Sequence, residues 1–150
     1  MTLPYKKEFF SKQIEDSIRN CQDHFGKENV AILSNSAGSK DDKEYKEAGL
    51  IEELLGIPVV LHIMKKPAVW EDLVLHFGNN ELEGSQIVLV GDRILSDVVM
   101  GNKYGMLTFR VQPFTTQGEN FMVKILRVFE DSVLPKMIPL KCREKSKEHK

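Results

Sequence analysis

Apolar positions along the chain alternate between helical and extended spacing. From residue 10 to residue 25 they recur in steps of three and four, which predicts an amphipathic helix that ends near Gly26. Further helical patterns cover the EAGLIEELLG segment, the stretch after Pro67, and residues 97–104 and 121–129. Between the helices, short runs rich in Val, Ile and Leu predict four strands: residues 30–33, 59–62, 87–90 and 107–111.

This alternation of strands and helices predicts an α/β domain. Parallel strands with right-handed crossovers place helices on both faces of one sheet. With 150 residues, of which 41% are hydrophobic, the chain is long enough for a single core. We expect this domain to span residues 1–135 and residues 136–150 to form a basic, solvent-exposed tail.

Composition and charge exclude several classes of function. The net charge of −1 gives no general attraction to nucleic acid, and Cys21 and Cys142 form neither a disulfide framework nor a metal-ligand spacing. No apolar run approaches the roughly 20 residues that cross a bilayer. The acidic residues near the N-terminus are not typical of a transit peptide. We therefore expect a globular protein of a reducing compartment, without a targeting signal in this chain.

Polar side chains follow the predicted strands where each strand ends. Ser34 and Asn35 follow the first strand, and Asp92 follows the third. The carboxyl ends of parallel strands form the ligand site of an open sheet, so we expect these residues to converge. A buried carboxylate is costly unless it is compensated, for example by Mg²⁺, which makes Asp92 a candidate metal ligand. Asp97 is a second candidate, and its alternative role is to stabilise a helix N-terminus.

Two loops could bind an anion. After the first strand, backbone amides with the Ser34 hydroxyl can bind phosphate, although Ser and Asn are also common in ordinary turns. Lys66, in the MKKP loop, can neutralise a phosphoryl group, or it is a solvated loop lysine. Arg93 has two alternative roles that the sequence does not distinguish: it is a surface cation, or it contacts the phosphate of the substrate. For His62 and Trp70 we expect no catalytic role: the histidine packs or faces solvent, and the tryptophan packs on the sheet.

The segments LSNSAGS, KKPA and VGDRILSDVVMGNKYG, in this order, resemble the mitochondrial phosphatidylglycerophosphate phosphatase family of the haloacid dehalogenase superfamily. The resemblance extends to about Pro113. It implies a three-layer Rossmann-like fold, Mg²⁺ as cofactor, and a phospholipid phosphate monoester as substrate in cardiolipin synthesis. It also implies peripheral membrane contact and a location on the matrix side of the mitochondrial inner membrane. Carried over to this chain, Ser34 with Asn35 binds phosphate, Lys66 stabilises charge, and Asp92 and Asp97 hold Mg²⁺.

One motif of that superfamily is not found in these residues. The superfamily's first strand carries DxDxT/V, in which the first Asp is the nucleophile and the second is the general acid and base. The opening MTLPY resembles the residues immediately after that motif, and Asp41 and Asp42 lie in a polar loop that does not replace it. We therefore expect the first central strand to be missing, an open slot in the sheet and very slow turnover.

Two alternatives to an enzyme remain open at this stage. A non-catalytic phosphate-binding or interaction protein with a degenerate fold of this superfamily would retain Ser34, Lys66 and Asp92 as inherited features. A phosphoacceptor receiver domain fits less well, because it also needs an acidic cluster on its first strand.

Overall fold

A computed structural model describes residues 11–113 together with Val128, Glu130 and Ser132. The chain divides into two compact units, Met1–Gly118 and Glu119–Lys150, and the fold below is that of the first unit. Val128, Glu130 and Ser132 are helical, while the rest of the helix predicted at residues 121–129 and the basic tail 136–150 lie outside the described residues. Within the described part of the chain, no helix has the length and apolarity needed to span a membrane.

The regular elements follow the order that the hydrophobic pattern predicts. Four α-helices and two strands are formed within residues 11–113, with short 3₁₀ turns between some of them. A π-helical segment, Ile94–Val98, runs directly into the fourth helix. The elements are α1 (Lys12–Phe25), α2 (Lys46–Leu55), α3 (Trp70–Phe77), β1 (Val88–Gly91), α4 (Val99–Tyr104) and β2 (Leu107–Arg110).

The described sheet is parallel but smaller than predicted. Strands β1 and β2 pair in parallel, with Val88 opposite Leu107. The predicted strands at residues 30–33 and 59–62 are reduced to one parallel bridge between Ile32 and Val59, so their predicted extent is wrong. The hydrogen-bonded ladder stops at His62. Its backbone N–H donates to the carbonyl of Gly38, at 2.8 Å, and so does not extend the pairing between the two segments. The α/β class is confirmed, whereas a three-layer arrangement stays a prediction.

A buried apolar cluster packs one face of the sheet against α3 and α4. Trp70 stacks on Tyr104 with ring centroids 5.0 Å apart, at the edge of this cluster. Trp70 is therefore partly buried and packs against this cluster, but its stacking partner lies on α4 and not on the sheet where it was expected. Ile87 and Leu89 contact the cluster from the side of β1, and its fully buried members are Val60, Val69, Leu73, Met100 and Met106.

Helix α1 has the predicted ends but not the predicted buried face. The Ser11 hydroxyl accepts a hydrogen bond from the backbone N–H of Ile14 at its start, and Gly26, with a φ of 92°, ends it. Phe25 is nevertheless 59% exposed. Gln22 is buried instead, because its side-chain amide donates to the carbonyl of Gly56 at 2.9 Å. A polar contact with the end of α2 therefore orients this part of the helix.

Candidate functional site

The SNSAGS segment folds into a compact turn immediately after the Ile32 bridge. The hydroxyl oxygens of Ser34 and Ser36 lie 3.1 Å apart, and the Ser36 backbone N–H donates to the Ser34 oxygen at 3.2 Å. The Ser39 hydroxyl donates to the carbonyl of Ser36 at 2.7 Å. Gly38 has a φ of +80°, and a Cβ there would lie 2.6 Å from the carbonyl oxygen of Val60. Only glycine fits this close approach, which holds the turn against the neighbouring segment.

Asp42 stabilises this turn from inside the protein, a role that the sequence pattern did not reveal. Its buried carboxylate accepts three backbone hydrogen bonds of 2.9 Å, from Gly38, Glu47 and Ala48. Burial raises the pKa of Asp42, but these three N–H groups outweigh burial and lower it overall. The carboxylate thereby links the SNSAGS turn to the start of α2. An acidic residue shortly before a helical pattern is the signal that could have indicated it.

Lys66 connects the SNSAGS turn with the acidic segment after β1. Its backbone N–H donates to the side-chain oxygen of Asn35 at 3.0 Å. Its Nζ lies 2.6 Å from Oδ1 of Asp97, and the two side chains are 13% and 3% exposed, respectively. Lys66 is therefore a largely buried, paired cation and not a solvated loop lysine. The structure brings Asn35, Lys66 and Asp97 into one hydrogen-bonded set, in the same region of the fold.

Both oxygens of Asp97 have partners. While Oδ1 accepts from Lys66, Oδ2 accepts from the backbone N–H of Arg93 at 3.0 Å. The predicted helix start at residue 97 is wrong by three residues, because the helical turns begin at Ile94. Asp97 therefore reaches back to the N-terminal end of these turns, the alternative role considered for it. A Cβ at Gly91 would lie 2.3 Å from this carboxyl group, so glycine leaves the room that Asp97 occupies.

Asp92 follows β1 directly and is partly buried. Among the described residues, no group of three or more His, Cys, Asp or Glu side chains is arranged to hold a metal ion. Mg²⁺ needs only one or two protein carboxylates, because water and phosphate oxygens complete its octahedron. The donor chemistry of Asp92 therefore fits Mg²⁺. The two oxygens of Asp97 already accept hydrogen bonds, which favours a role in holding Lys66.

Asp41 and Lys65 form a more exposed ion pair beside the site. The hydrogen bond and the charge of Lys65 lower the pKa of Asp41. Asp41 is thus engaged with a surface lysine.

His62 is packed inside the protein, one of the two positions expected for it, and its ring also has specific partners. The ring is 1% exposed and both of its nitrogens lie within hydrogen-bond distance of backbone carbonyls, those of Ser34 and Met64. It therefore connects the SNSAGS turn with the loop that carries Lys66. A single histidine within an apolar run gives no sequence signal for such a bridge.

An α/β domain that joins a Ser/Asn turn, a buried lysine and an acidic turn has the elements of a phosphate-binding site. A family model described as mitochondrial PGP phosphatase matches residues 1–114. The chain therefore belongs to this phosphatase family, as the three motif segments predicted. No solved structure matches the chain significantly.

Three curated relatives carry corresponding names. Over 133 residues the chain is 41% identical to the chloroplastic phosphatidylglycerophosphate phosphatase 1 of Chlamydomonas reinhardtii, covering 87% of this chain and 48% of the relative. The chloroplastic/mitochondrial protein of that name from Arabidopsis thaliana is 34% identical, with 92% and 39% covered. The mitochondrial phosphatidylglycerophosphatase of Saccharomyces cerevisiae is 38% identical, with 51% and 42% covered. The chain thus spans half or less of the length of these relatives.

Proposed function

We propose that this chain provides the phosphate-binding and charge-stabilising part of a Mg²⁺-dependent phosphatase that converts phosphatidylglycerophosphate to phosphatidylglycerol in cardiolipin synthesis. The observation that carries the proposal is the buried contact between Lys66 and Asp97, together with the hydrogen bond from Lys66 to Asn35. These contacts unite the three motif segments that are characteristic of the family. The names of the relatives supply the substrate class.

Each residue of the site has a distinct part in the proposed chemistry. The Ser34 hydroxyl donates to a phosphoryl oxygen, with Asn35 and the turn's amides beside it. Lys66 places a compact cation next to the developing negative charge. Asp92 is the proposed ligand of Mg²⁺, which neutralises phosphate charge when bound. The main part of Asp97 is to keep the Lys66 ammonium group in position, and not to act as a ligand of the metal.

The nucleophile is the element that these 150 residues do not supply. None of their segments reads DxDxT/V, so we place both catalytic aspartates on a strand that these residues do not include. Such a strand would lie beside β1 in a sheet of the haloacid dehalogenase type. Removal of a nucleophile from another covalent hydrolase costs roughly 10⁶ in rate. We therefore propose that the 150 residues alone have negligible turnover.

The acyl chains of the proposed substrate require that the site lies close to a membrane. Three apolar side chains close to Lys66 in the chain are exposed: Leu61 at 48%, Ile63 at 59% and Met64 at 54%. A lipid phosphate can reach Lys66 while its acyl chains stay in the bilayer only if the mouth of the site lies at the membrane surface. We propose that these side chains touch the bilayer, on the matrix side of the mitochondrial inner membrane.

Turnover of phosphatidylglycerophosphate in vesicles tests this function. The 150-residue chain and a longer protein that includes a DxDxT/V strand are assayed with and without Mg²⁺. Only the longer protein should release phosphate, and only with the metal. Rapid metal-dependent turnover by the 150 residues would show that the nucleophile has been assigned to the wrong segment.

Asp92→Asn in the longer protein tests the metal ligand. Turnover should be abolished, while the fold is retained or slightly more stable without metal, because one acidic charge is removed from the site. Asp97→Asn should reduce turnover less, and Asp23→Asn, on the exposed surface of α1, is the matched control. Normal turnover and an unchanged Mg²⁺-induced rise in Tm for Asp92→Asn would argue against this assignment.

A non-catalytic phosphate-binding protein is the second candidate. It is favoured by the presence of the Ser34 turn and Lys66 in a sequence without a DxDxT/V segment. This candidate predicts that inorganic phosphate binds the 150 residues and that the longer protein shows no turnover either.

A further inference from the structure

The loop that carries Lys66 has a second lysine directly before it. Lys65 pairs with Asp41, and these two side chains are 52% and 67% exposed. Lys66 pairs with Asp97, and those two side chains are 13% and 3% exposed. Neighbouring Cα atoms are only about 3.8 Å apart, but the two ammonium groups are directed to carboxylates from different parts of the chain. One cation therefore lies inside the site, and the other lies at its surface.

Both lysines are tied to the SNSAGS turn. The backbone N–H of Lys66 donates to the side-chain oxygen of Asn35, near the beginning of the turn, at 3.0 Å. Asp41, the partner of Lys65, follows the end of the turn, and its backbone N–H donates to the Ser39 hydroxyl at 3.3 Å. An anion that binds in this turn therefore has a cation at two different positions of the loop.

The loop also changes from apolar to charged, and from exposed to buried, in one direction. Ile63 and Met64 are 59% and 54% exposed, the Lys65 side chain is 52% exposed, and that of Lys66 is 13% exposed. The proposed lipid substrate has the same order of groups. Its acyl chains are followed by a phosphodiester and then, across a glycerol, by the terminal phosphate monoester. The exposed lysine thus corresponds to the phosphodiester, and the buried lysine corresponds to the monoester.

We propose that Lys65 is a specificity-determining residue, which binds the phosphodiester of the headgroup while Lys66 faces the terminal phosphate. This inference rests on the proposed function. An ammonium group has three N–H donors, so Lys65 can keep Asp41 as a partner and also donate to a phosphate oxygen. An exposed ion pair contributes little to stability, so complete exchange of Asp41 for phosphate also costs little. A ligand with a single phosphate occupies the Lys66 position alone.

Soluble headgroups test this assignment in the 150-residue chain. Glycerophosphoglycerol phosphate, the deacylated substrate, carries a phosphodiester and a monoester, whereas glycerol phosphate carries the monoester alone. In calorimetric titrations the parent chain should bind the first headgroup more tightly. Lys65→Gln should weaken that binding roughly tenfold, the effect of losing one charge-assisted hydrogen bond. Its affinity for glycerol phosphate should stay unchanged.

Two variants serve as controls. Lys65→Arg keeps the positive charge and should retain the preference for the headgroup with two phosphates. Lys12 forms a comparable exposed pair on α1, with Asp16 at 3.0 Å. Lys12→Gln therefore removes the same charge from the same kind of pair and should bind both headgroups as the parent does. An equal loss of affinity in Lys12→Gln would show that net charge, and not the position of Lys65, is responsible.

Turnover by the longer protein gives a second measurement. Lys65→Gln should raise KM for phosphatidylglycerophosphate roughly tenfold and leave kcat unchanged, because Lys65 contacts a phosphate that does not react.

The outcomes separate this inference from the proposed function. Equal affinity of the parent for the two headgroups, or an unchanged preference in Lys65→Gln, would overturn the role of Lys65 and leave the phosphate site in place. Failure of the parent to bind either headgroup would overturn both. Absence of turnover in the longer protein would count against the proposed function, while headgroup binding still decides the role of Lys65.

Discussion

At the scale of single residues, the ion pair between Lys66 and Asp97 carries both stability and site geometry. Its two charges are almost completely buried, at 13% and 3% exposure, and are 2.6 Å apart. In such surroundings, removal of one partner leaves the other charge without compensation. The contact joins the Lys66 loop to the helical segment that carries Asp97, 31 residues further along the chain. The same pair can therefore be examined by unfolding measurements without any assay of activity.

Either Lys66→Met or Asp97→Asn should lower the free energy of unfolding by about 3–5 kcal/mol, because each leaves a buried charge unpaired. The double variant should lose less than the sum of the two single losses. Urea unfolding of all four proteins gives the coupling energy. Lys65→Met, which removes the neighbouring and more exposed lysine, serves as control and should change stability little. Additive losses would show that the two charges do not interact.

Asp42 makes the stability of the SNSAGS turn depend on pH. Its pKa lies below the ordinary value of 3.8, so its ionised form is favoured by folding. The contribution is complete above about pH 3.8 and is lost as the pH falls through the lower pKa of the folded state. Asp42→Asn should cost about 3 kcal/mol at neutral pH, since three N–H donors lose a charged acceptor. It should also make the free energy of unfolding depend less on pH in the acidic range.

Unfolding of the parent and of Asp42→Asn between about pH 2 and 7 checks this expectation, over the range in which carboxylates titrate. Asp41→Asn, at the adjacent exposed position, should change the acid limb much less. A parallel shift of the whole curve in Asp42→Asn, with the same slope, would contradict the role given to its charge.

At the scale of elements, a close approach between β2 and α4 leaves one polar atom without a partner. Thr108 Oγ1 is buried and makes no hydrogen bond within the part of the chain that is described. A Cβ at Gly101 would lie 1.8 Å from this oxygen, so the hydroxyl packs directly on the helix backbone. A buried hydroxyl without a partner lowers stability relative to a methyl group of similar shape.

Thr108→Val should therefore raise the free energy of unfolding by about 1 kcal/mol, because it removes the unsatisfied hydroxyl. Thr108→Ser keeps the hydroxyl and should not be stabilising. Thermal and urea unfolding of both variants would be compared with the parent. A loss of stability in Thr108→Val would mean that its hydroxyl has a partner in solution.

At the scale of the whole molecule, one face of the β1 and β2 pair is apolar and exposed. Its side chains form cross-strand neighbours, Val88 with Leu107 and Val90 with Phe109, and each is 53–59% exposed. Exposed apolar patches of this kind favour association. Val90 and Phe109 are therefore suitable positions for substitutions that test whether the 150-residue chain associates with itself in solution.

We expect the 150-residue chain to self-associate as its concentration rises, and Val90→Lys together with Phe109→Glu to suppress this. The opposite charges stand across from each other, which limits the cost to strand pairing. Sedimentation velocity over a range of concentrations measures the effect. Leu75→Lys, at an 80% exposed position on α3, is the control and should leave association unchanged. Equal suppression by the control would show that association does not depend on this face of the sheet.

The sequence by itself determined those features that depend on neighbours a few residues apart. Helical periodicity predicted the extent of α1 and Gly26 its C-terminal end, and the apolar runs located β1 and β2 to within about a residue. The motif segments identified the family that the comparison confirmed. The resemblance also assigned Asn35, Lys66 and Asp97 to one site, although the catalytic roles carried over from the family remain predictions.

Only the tertiary structure decided the features that depend on distant partners. The bridge at Ile32 and Val59 stays short because the Gly38 carbonyl takes the N–H of His62. Asp97 points to a lysine 31 positions away, and His62 reaches the Ser34 carbonyl across 28 positions. Periodicity shows which side of an element is apolar, but not which backbone group lies opposite a side chain. The partners of these polar groups are therefore decided by packing.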